Sequence, residues 1–226
     1  MLFRSLKAIS EGAEVIIDTD DDNLPYSDWS FPDFEGEFRC SPENKYYVNI
    51  YKNYTDQEIW PRGFPLNLIQ DKSSVLNDNE LNRRHVKIGV WQGLADEDPD
   101  VDAIYRLVNN KPCVFKKEAP IILDQGTICP FNSQNTAFRK ELFPLLYLPS
   151  EVTFRYTDIL RGIIAQPIMW QYGYHLGFTC ATVKQERNPH DFMIDFESEI
   201  PCYLYAEKAV ELTNNTIHSN TSISDN

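Results

Sequence analysis

Val15-Ile16-Ile17-Asp18-Thr19-Asp20-Asp21-Asp22 joins a short apolar run directly to a cluster of carboxylates. The apolar part reads as a buried strand, and the residues before it fix where it starts. Leu2, Phe3, Leu6 and Ile9 follow helical spacing, Gly12 supplies a left-handed stop, and the strand begins soon after. In an open α/β sheet ligands collect beyond the carboxyl ends of the strands, so Asp18, Asp20 and Asp21 are expected to converge in one coordination sphere lining a polar cleft. Hard oxygen donors there suit Mg2+ or Mn2+ and, through the ion, a diphosphate. A solvated Asp-rich turn accounts for the same acids without any ligand.

Composition narrows the partners. The 226 residues carry a formal charge of −13, which repels a nucleic-acid backbone or an anionic membrane surface. An anionic substrate bridged by a cation remains compatible, because the ion inverts the local charge. Residues 1–211 read as one domain with a single core. From Leu212 to Asn226 the chain is rich in Thr, Asn and Ser and reads as a disordered tail.

The five cysteines, Cys40, Cys113, Cys129, Cys180 and Cys202, include no C-x-x-C pair. Neither a zinc site nor a dense disulfide scaffold is indicated. There is no signal peptide and no apolar run of roughly 20 residues, so the chain as given reads as soluble, without a membrane segment. Asn53, Asn214 and Asn220 head N-x-S/T sequons that matter only in a secretory lumen.

Further along, a Trp/Phe/Pro-rich loop is expected over Trp29 to Pro42, and a strand over Tyr46 to Tyr54 with Tyr46, Val48 and Ile50 on one face. Trp60-Pro61-Arg62-Gly63-Phe64-Pro65 fixes an irregular turn around one arginine. Val86, Ile88 and Val90 alternate with Lys87, Gly89 and Trp91 in a second strand, which leads to the acidic segment Asp96 to Asp102 and a helix marked by Val101, Ile104, Tyr105 and Val108. Asp100 can cap that helix. Cys113 to Phe115 and Pro120 to Leu123 read as short strands. The run Pro130-Phe131-Asn132-Ser133-Gln134-Asn135-Thr136 offers amides and hydroxyls to a pocket, or builds turns for local reasons. A helix is expected from Asp158, kinked at Pro167, then a strand over Leu176 to Val183 and a loop over Arg187 to Asp191.

Taken in order, the acidic turn, Ile59 to Leu66, Gln92-Gly93-Leu94 with Asp100 to Leu107, Pro130 to Thr136, and Asp158-Ile159-Leu160-Arg161-Gly162 resemble the STELLO-like glycosyltransferases, over Leu2 to about Leu204. The W-P-R-G and D-V-D-A-I-Y-R-L segments also look like the reversibly glycosylated polypeptides, which act as UDP-sugar mutases. The resemblance implies an α/β, partial GT-A fold with a mixed sheet flanked by helices. It also implies a metal-dependent transfer of sugar from a nucleotide sugar, UDP-linked, to the hydroxyl of a glycan or other acceptor.

Carried over by position, Asp18 sits near ribose and metal, Asp20 and Asp21 supply metal oxygens, and His190 is a further metal ligand. Asp158 is the acceptor base if the reaction inverts. A bland reading of Asp158, as a helix cap ion-paired one turn on to Arg161, stands beside it. Arg62 and Arg161 suit contacts to phosphate or sugar, as do the amides of Asn132 and Asn135. Golgi residence and complexes with other glycosyltransferases are implied by the family alone.

A complete GT-A domain opens with strands that bind the nucleotide base, and here only a helix precedes the acidic turn. The nucleotide-binding part is therefore expected to be missing, leaving an exposed apolar sheet edge or face that favours oligomers. Two rival functions remain open: a catalytically silent scaffold for other transferases, and a mutase that isomerises a nucleotide sugar without an acceptor.

Overall fold

The computed structural model describes residues 2–217 and 222–223. It is a mixed α/β structure whose central sheet is flanked by helices, consistent with a partial GT-A-like fold. Helix α1 (Leu2–Ser10) ends as its sequence requires: Gly12 takes φ +82°, and the amides of Gly12 and Ala13 return to the carbonyls of Ile9 and Ala8. Strand β1 (Val15–Thr19) comes immediately afterwards and lies at one edge of the sheet. Val15 and Ile17 on it are 40% and 39% exposed.

Eight further strands complete the framework: β2 (Asn23–Pro25), β3 (Glu35–Cys40), β4 (Tyr46–Tyr47), β5 (Asn82–Asp96), β6 (Ile121–Leu123), β7 (Thr127–Ile128), β8 (Asn135–Arg139) and β9 (Tyr174–Gln185). The main sheet runs β1-β8-β5-β3-β6-β9-β2, and β5 also pairs with β9; β4 and β7 form a separate pair. β5 and β9 are parallel, whereas β8 runs against both β1 and β5. The carboxyl ends of β1, β5 and β9 therefore lie at one end of the sheet, together with the loop that enters β8.

Helices α2 (Ala103–Val108), α3 (Phe154–Gln171) and α4 (Phe192–Thr216) pack together, and α3 also lies against β9. The larger core cluster unites the buried side chains of β9 and the helices, with Phe131, Phe138, Ile159, Ile163, Met169 and Phe178 among its members. A smaller cluster of Cys40, Val86, Ile88, Trp91, Ile122 and Ala137 is covered by Phe31, Phe34 and Phe38. The segment Trp29 to Pro42 thus contains strand β3 as well as the expected loop.

Strand β5 departs from simple alternation for an identifiable reason. Gly89 is an extra residue in its pairing with β9, so Ile88 faces His175 while Val90 faces Leu176. This bulge places Ile88 in the smaller cluster and Val90 in the larger one. A Cβ at Gly89 would meet Leu142, Met169 and Tyr174, so glycine is what lets the strand switch faces against α3.

Other expectations are corrected by packing. The strand over Tyr46 to Tyr54 stops at Tyr47, and Ile50–Asn53 forms a 3₁₀ helix that buries Ile50 and Tyr51 in the core. Cys113 makes only an isolated bridge with Glu97. Helix α3 starts at Phe154 rather than at Asp158, and it continues past Pro167. Leu212, expected to open a disordered tail, belongs to the last turns of α4, and most of the tail beyond Ile217 lies outside the described residues. The Asn53 amide donates to the Leu76 carbonyl at 2.7 Å, so that sequon is tied into the fold. All five cysteines are unpaired, and among the described residues no helix is long and apolar enough to cross a membrane.

The close approach of α3 to the loop before β8 depends on Gly162, whose Cβ would strike the Phe131 carbonyl. Gly162→Ala is expected to destabilise the fold by about 1–3 kcal/mol, the usual cost of overpacking a rigid contact. Chemical denaturation checks this, with a lowered midpoint as the expected result.

Candidate functional site

A cleft of about 310 Å³ opens at the shared carboxyl ends of β1, β5 and β9. Its walls come from the turn after β1, the loop after β5, the loop entering β8, the first turns of α3 and the loop after β9. The cleft brings together Asp20, Asp21, Arg62, Asp158 and His190 of the expected site residues. Asp22, Asp100, Ser133, Gln134, Arg155, Gln185 and Arg187 join them.

The acidic turn is held by its backbone. The Asp20 N–H donates to the Gln134 carbonyl at 3.2 Å, and the Asn23 N–H closes the turn onto the Asp20 carbonyl at 3.3 Å. From the end of β9, the Gln185 Nε2 donates to Asp20 Oδ2 at 3.2 Å and to Asp22 Oδ1 at 2.8 Å. One polarised NH2 group therefore stands between two carboxylates. Burial pushes the Asp20 carboxyl up from 3.8 to about 6, reinforced by the negative charges of Asp100, Asp22 and Asp158.

Opposite this turn lies a buried charge network. Arg62, on the Trp60–Pro65 turn, donates Nε and Nη2 to the two oxygens of Asp100 at 2.9 Å each. Its Nη1 and Nη2 reach Asp158 at 3.2 and 3.1 Å, and Nη1 also meets the Arg155 carbonyl. Burial alone would lower the Arg62 pKa, but Asp100 and Asp158 hold it well above its usual value. Burial likewise opposes ionisation of Asp100, yet Arg62 keeps that carboxyl below the usual range. The turn reaches α3 because Gly63, at φ +87°, leaves no Cβ to strike Ile159.

Asp158 is thus no cap. It lies in the second turn of α3, faces the cleft, and also accepts the Ser133 N–H at 3.2 Å. Asp100 is not a cap either, since Asp102 takes that role by accepting the Tyr105 N–H at 2.8 Å and the Trp60 Nε1–H at 2.7 Å. His190 lines the cleft with Nδ1 at 3.1 Å from Asp195.

Four expected residues stand elsewhere. Asp18 and Arg161 form a buried ion pair at 2.9 Å, and Arg161 also donates to Ser133 Oγ at 2.8 Å and stacks over Phe138. Asn132 caps the turn before β8, its Oδ1 accepting the Gln134 N–H at 2.9 Å. Asn135 is buried in the sheet, where its Oδ1 accepts the Trp29 Nε1–H at 3.2 Å. None of the four lines the cleft. Gln185 ends a strand and Arg187 opens a polar loop in which only His190 has the residue type of a ligand; the direction of β9 carries both to the site.

Among the described residues no three His, Cys, Asp or Glu side chains form a ready-made metal cage, so Asp18, Asp20 and Asp21 do not share one coordination sphere. The pair Asp20 and Asp22 still fits a hard divalent ion. Mg2+-type sites commonly use one or two carboxylates and complete their shell with water and phosphate oxygens. Asp20 and Asp22 both accept from the Gln185 NH2 group, and the Asp20 carboxyl has a raised pKa.

The ion pair inside the fold gives a discriminating test. Arg161→Met leaves Asp18 buried without a counter-charge and is expected to cost about 3–5 kcal/mol of stability. Asp18→Asn should likewise destabilise, while leaving any Mn2+ response of the protein unchanged. Thermal unfolding with and without Mn2+ separates these effects.

No protein-family model matches the chain. It is 30% identical over 153 residues to "Probable glycosyltransferase STELLO2" of Arabidopsis thaliana, covering 62% of this chain and 19% of that protein. It is 29% identical over 143 residues to "Probable glycosyltransferase STELLO1" of the same plant, covering 58% of this chain and 17% of that protein. The chain thus spans less than a fifth of the length of these relatives. Its similarity is to STELLO-like glycosyltransferases, the family that its ordered motifs resemble.

Proposed function

We propose that the cleft takes a nucleotide sugar, UDP-linked, and that the chain transfers the sugar to an acceptor hydroxyl. One observation carries this reading: the acidic turn and Asp158 border a single cleft at the carboxyl ends of three strands. The sequence similarity to proteins named as probable glycosyltransferases supports it.

In this reading Asp20 and Asp22 hold Mg2+ or Mn2+, with Asp21 and His190 among the residues lining the same cleft. When bound, the ion stabilises the charge of the leaving diphosphate. Asp158 takes the proton of the acceptor hydroxyl in an inverting transfer. Arg62 has its donors committed to Asp100, Asp158 and a backbone carbonyl, so it orients the base instead of reading phosphate. Ser133 fixes the same carboxylate from the opposite loop. Golgi residence and assembly with other transferases are part of the proposal and are tested by localising the tagged protein.

Calorimetry with UDP is the direct test. Saturable binding that requires Mn2+ in the wild type, and that falls below detection in Asp20→Ala, is expected; binding indifferent to both contradicts the reading. Asp158→Asn should retain UDP affinity and lower turnover by about 10²–10⁴-fold.

The raised Asp20 pKa adds a pH signature. Between 3.8 and about 6 the folded chain keeps a proton that the unfolded chain has released, so this group's contribution to stability is lost as pH rises through that window. A cation replaces the proton. The Mn2+-induced rise in melting temperature is therefore expected to be small near about pH 5 and larger near about pH 7, and to lose this dependence in Asp20→Asn.

A further inference from the structure

Three arginines line the cleft, and two of them are matched by carboxylates. Arg62 is held between Asp100 and Asp158, and Arg155 donates Nε to Glu199 at 2.9 Å with Asp195 at 3.7 Å. Arg187 differs. Its nearest acid is Asp98, 3.8 Å from Nε, beyond hydrogen-bond reach, and Asp98 is already engaged by Arg106. The Nε and Nη1 of Arg187 are buried and have no hydrogen-bond partner, although the side chain is only 12% exposed.

A buried guanidinium with unused donors is costly as a structural element, because its charge is desolvated without compensation. Burial, followed by the like charge of Arg106, pushes the Arg187 pKa down, and the opposing charges of Asp98 and Asp100 only partly offset this. The position matters too. Arg187 lies two residues beyond Gln185, whose amide stands between Asp20 and Asp22. One strand end therefore presents an acid pair bridged by a single amide beside a guanidinium with unused donors.

We propose that Arg187 binds a phosphate group in this cleft, its side chain turning one edge of the guanidinium, a free donor together with Nη2, onto two phosphate oxygens. The planar fork of the guanidinium matches that geometry. The proposal rests on the cleft being the ligand site described above, and it does not require the metal. The phosphate could belong to a nucleotide diphosphate or to a phosphorylated acceptor, and the two sources are separable by probe.

The experiment is calorimetric titration of the full chain with inorganic diphosphate, with UDP plus Mn2+, and with a sugar monophosphate, using wild type, Arg187→Gln and Arg187→Lys. Wild type should bind diphosphate, Arg187→Gln should lose at least about tenfold in affinity, and Arg187→Lys should fall between them, since lysine keeps the charge and loses the fork. A loss for UDP assigns the phosphate to a donor; a loss for the sugar monophosphate alone assigns it to an acceptor.

Equal affinities in folded wild type and Arg187→Gln overturn the proposal, as does failure of wild type to bind any of the three probes. If Arg187→Gln keeps wild-type affinity for Mn2+–UDP, for diphosphate and for the sugar monophosphate, the nucleotide-sugar reading stands and this inference falls. If Asp20→Ala loses the Mn2+ response while diphosphate binding still depends on Arg187, this inference stands and the metal assignment falls. Should Arg187→Gln fail to fold, reduced diphosphate affinity in Arg187→Lys supports the proposal and unchanged affinity overturns it.

Discussion

The guanidinium of Arg62, shared between Asp100 and Asp158, is the interaction on which the site depends. It ties together three segments distant in sequence: the Trp60–Pro65 turn, the loop after β5 and the start of α3. Both acids are placed by it. Breaking such a buried set by removing one partner typically costs about 3–5 kcal/mol, because an uncompensated charge is left behind. The pairing also explains why the cleft can hold several carboxylates close together. Asp100 is neutralised by Arg62 and kept ionised, while the more weakly compensated Asp20 has its pKa raised to about 6.

The charged groups accordingly divide into two sets. Asp18, Arg161 and the Arg62 network are internal: Arg161 is paired with Asp18 and Ser133, its Nε alone being unpartnered, and Arg62 is held by Asp100 and Asp158. Asp20, Asp22 and Arg187 are the groups at the cleft whose charges the protein balances least. Unbalanced charge in a concave site is what a ligand can correct, whereas a saturated ion pair has nothing left to offer. This is why Arg62, attractive as a phosphate ligand by residue type, is the weaker candidate once its partners are known, and Arg161 is weaker because it does not line the cleft.

Much of the framework was legible in the sequence. The α1–Gly12–β1 start, the irregular turn around Arg62, the hydrophobic body of β5 and the strand β9 arise from local periodicity and turn chemistry, which act over a few residues. Local patterns could not reveal what tertiary contacts decide. Gly89 reads as a polar-side residue of an alternating strand until its pairing with β9 exposes the bulge. Tyr46 to Tyr54 alternates convincingly, yet burying Ile50 and Tyr51 together favours a 3₁₀ turn. In the site, the acidic turn is legible because carboxylates at a strand end are a recognisable pattern, whereas Asp158 lies in the second turn of α3 and reaches the cleft through tertiary packing. Asp18 was read into the cleft because strand alternation alone does not reveal that Arg161, far along the chain, waits beneath it. Arg187 was passed over because one arginine in a polar loop carries no signal until its neighbours are seen.

The central claim is that Asp20 and Asp22 take a divalent cation together with a nucleotide diphosphate in this cleft. Anomalous diffraction from crystals grown with Mn2+ and UDP tests it most directly. A manganese peak between the Asp20 and Asp22 carboxylates, with Gln185 displaced and the diphosphate beside it, is the expected result. A cleft without manganese, in crystals where UDP is bound elsewhere on the chain, would contradict the account.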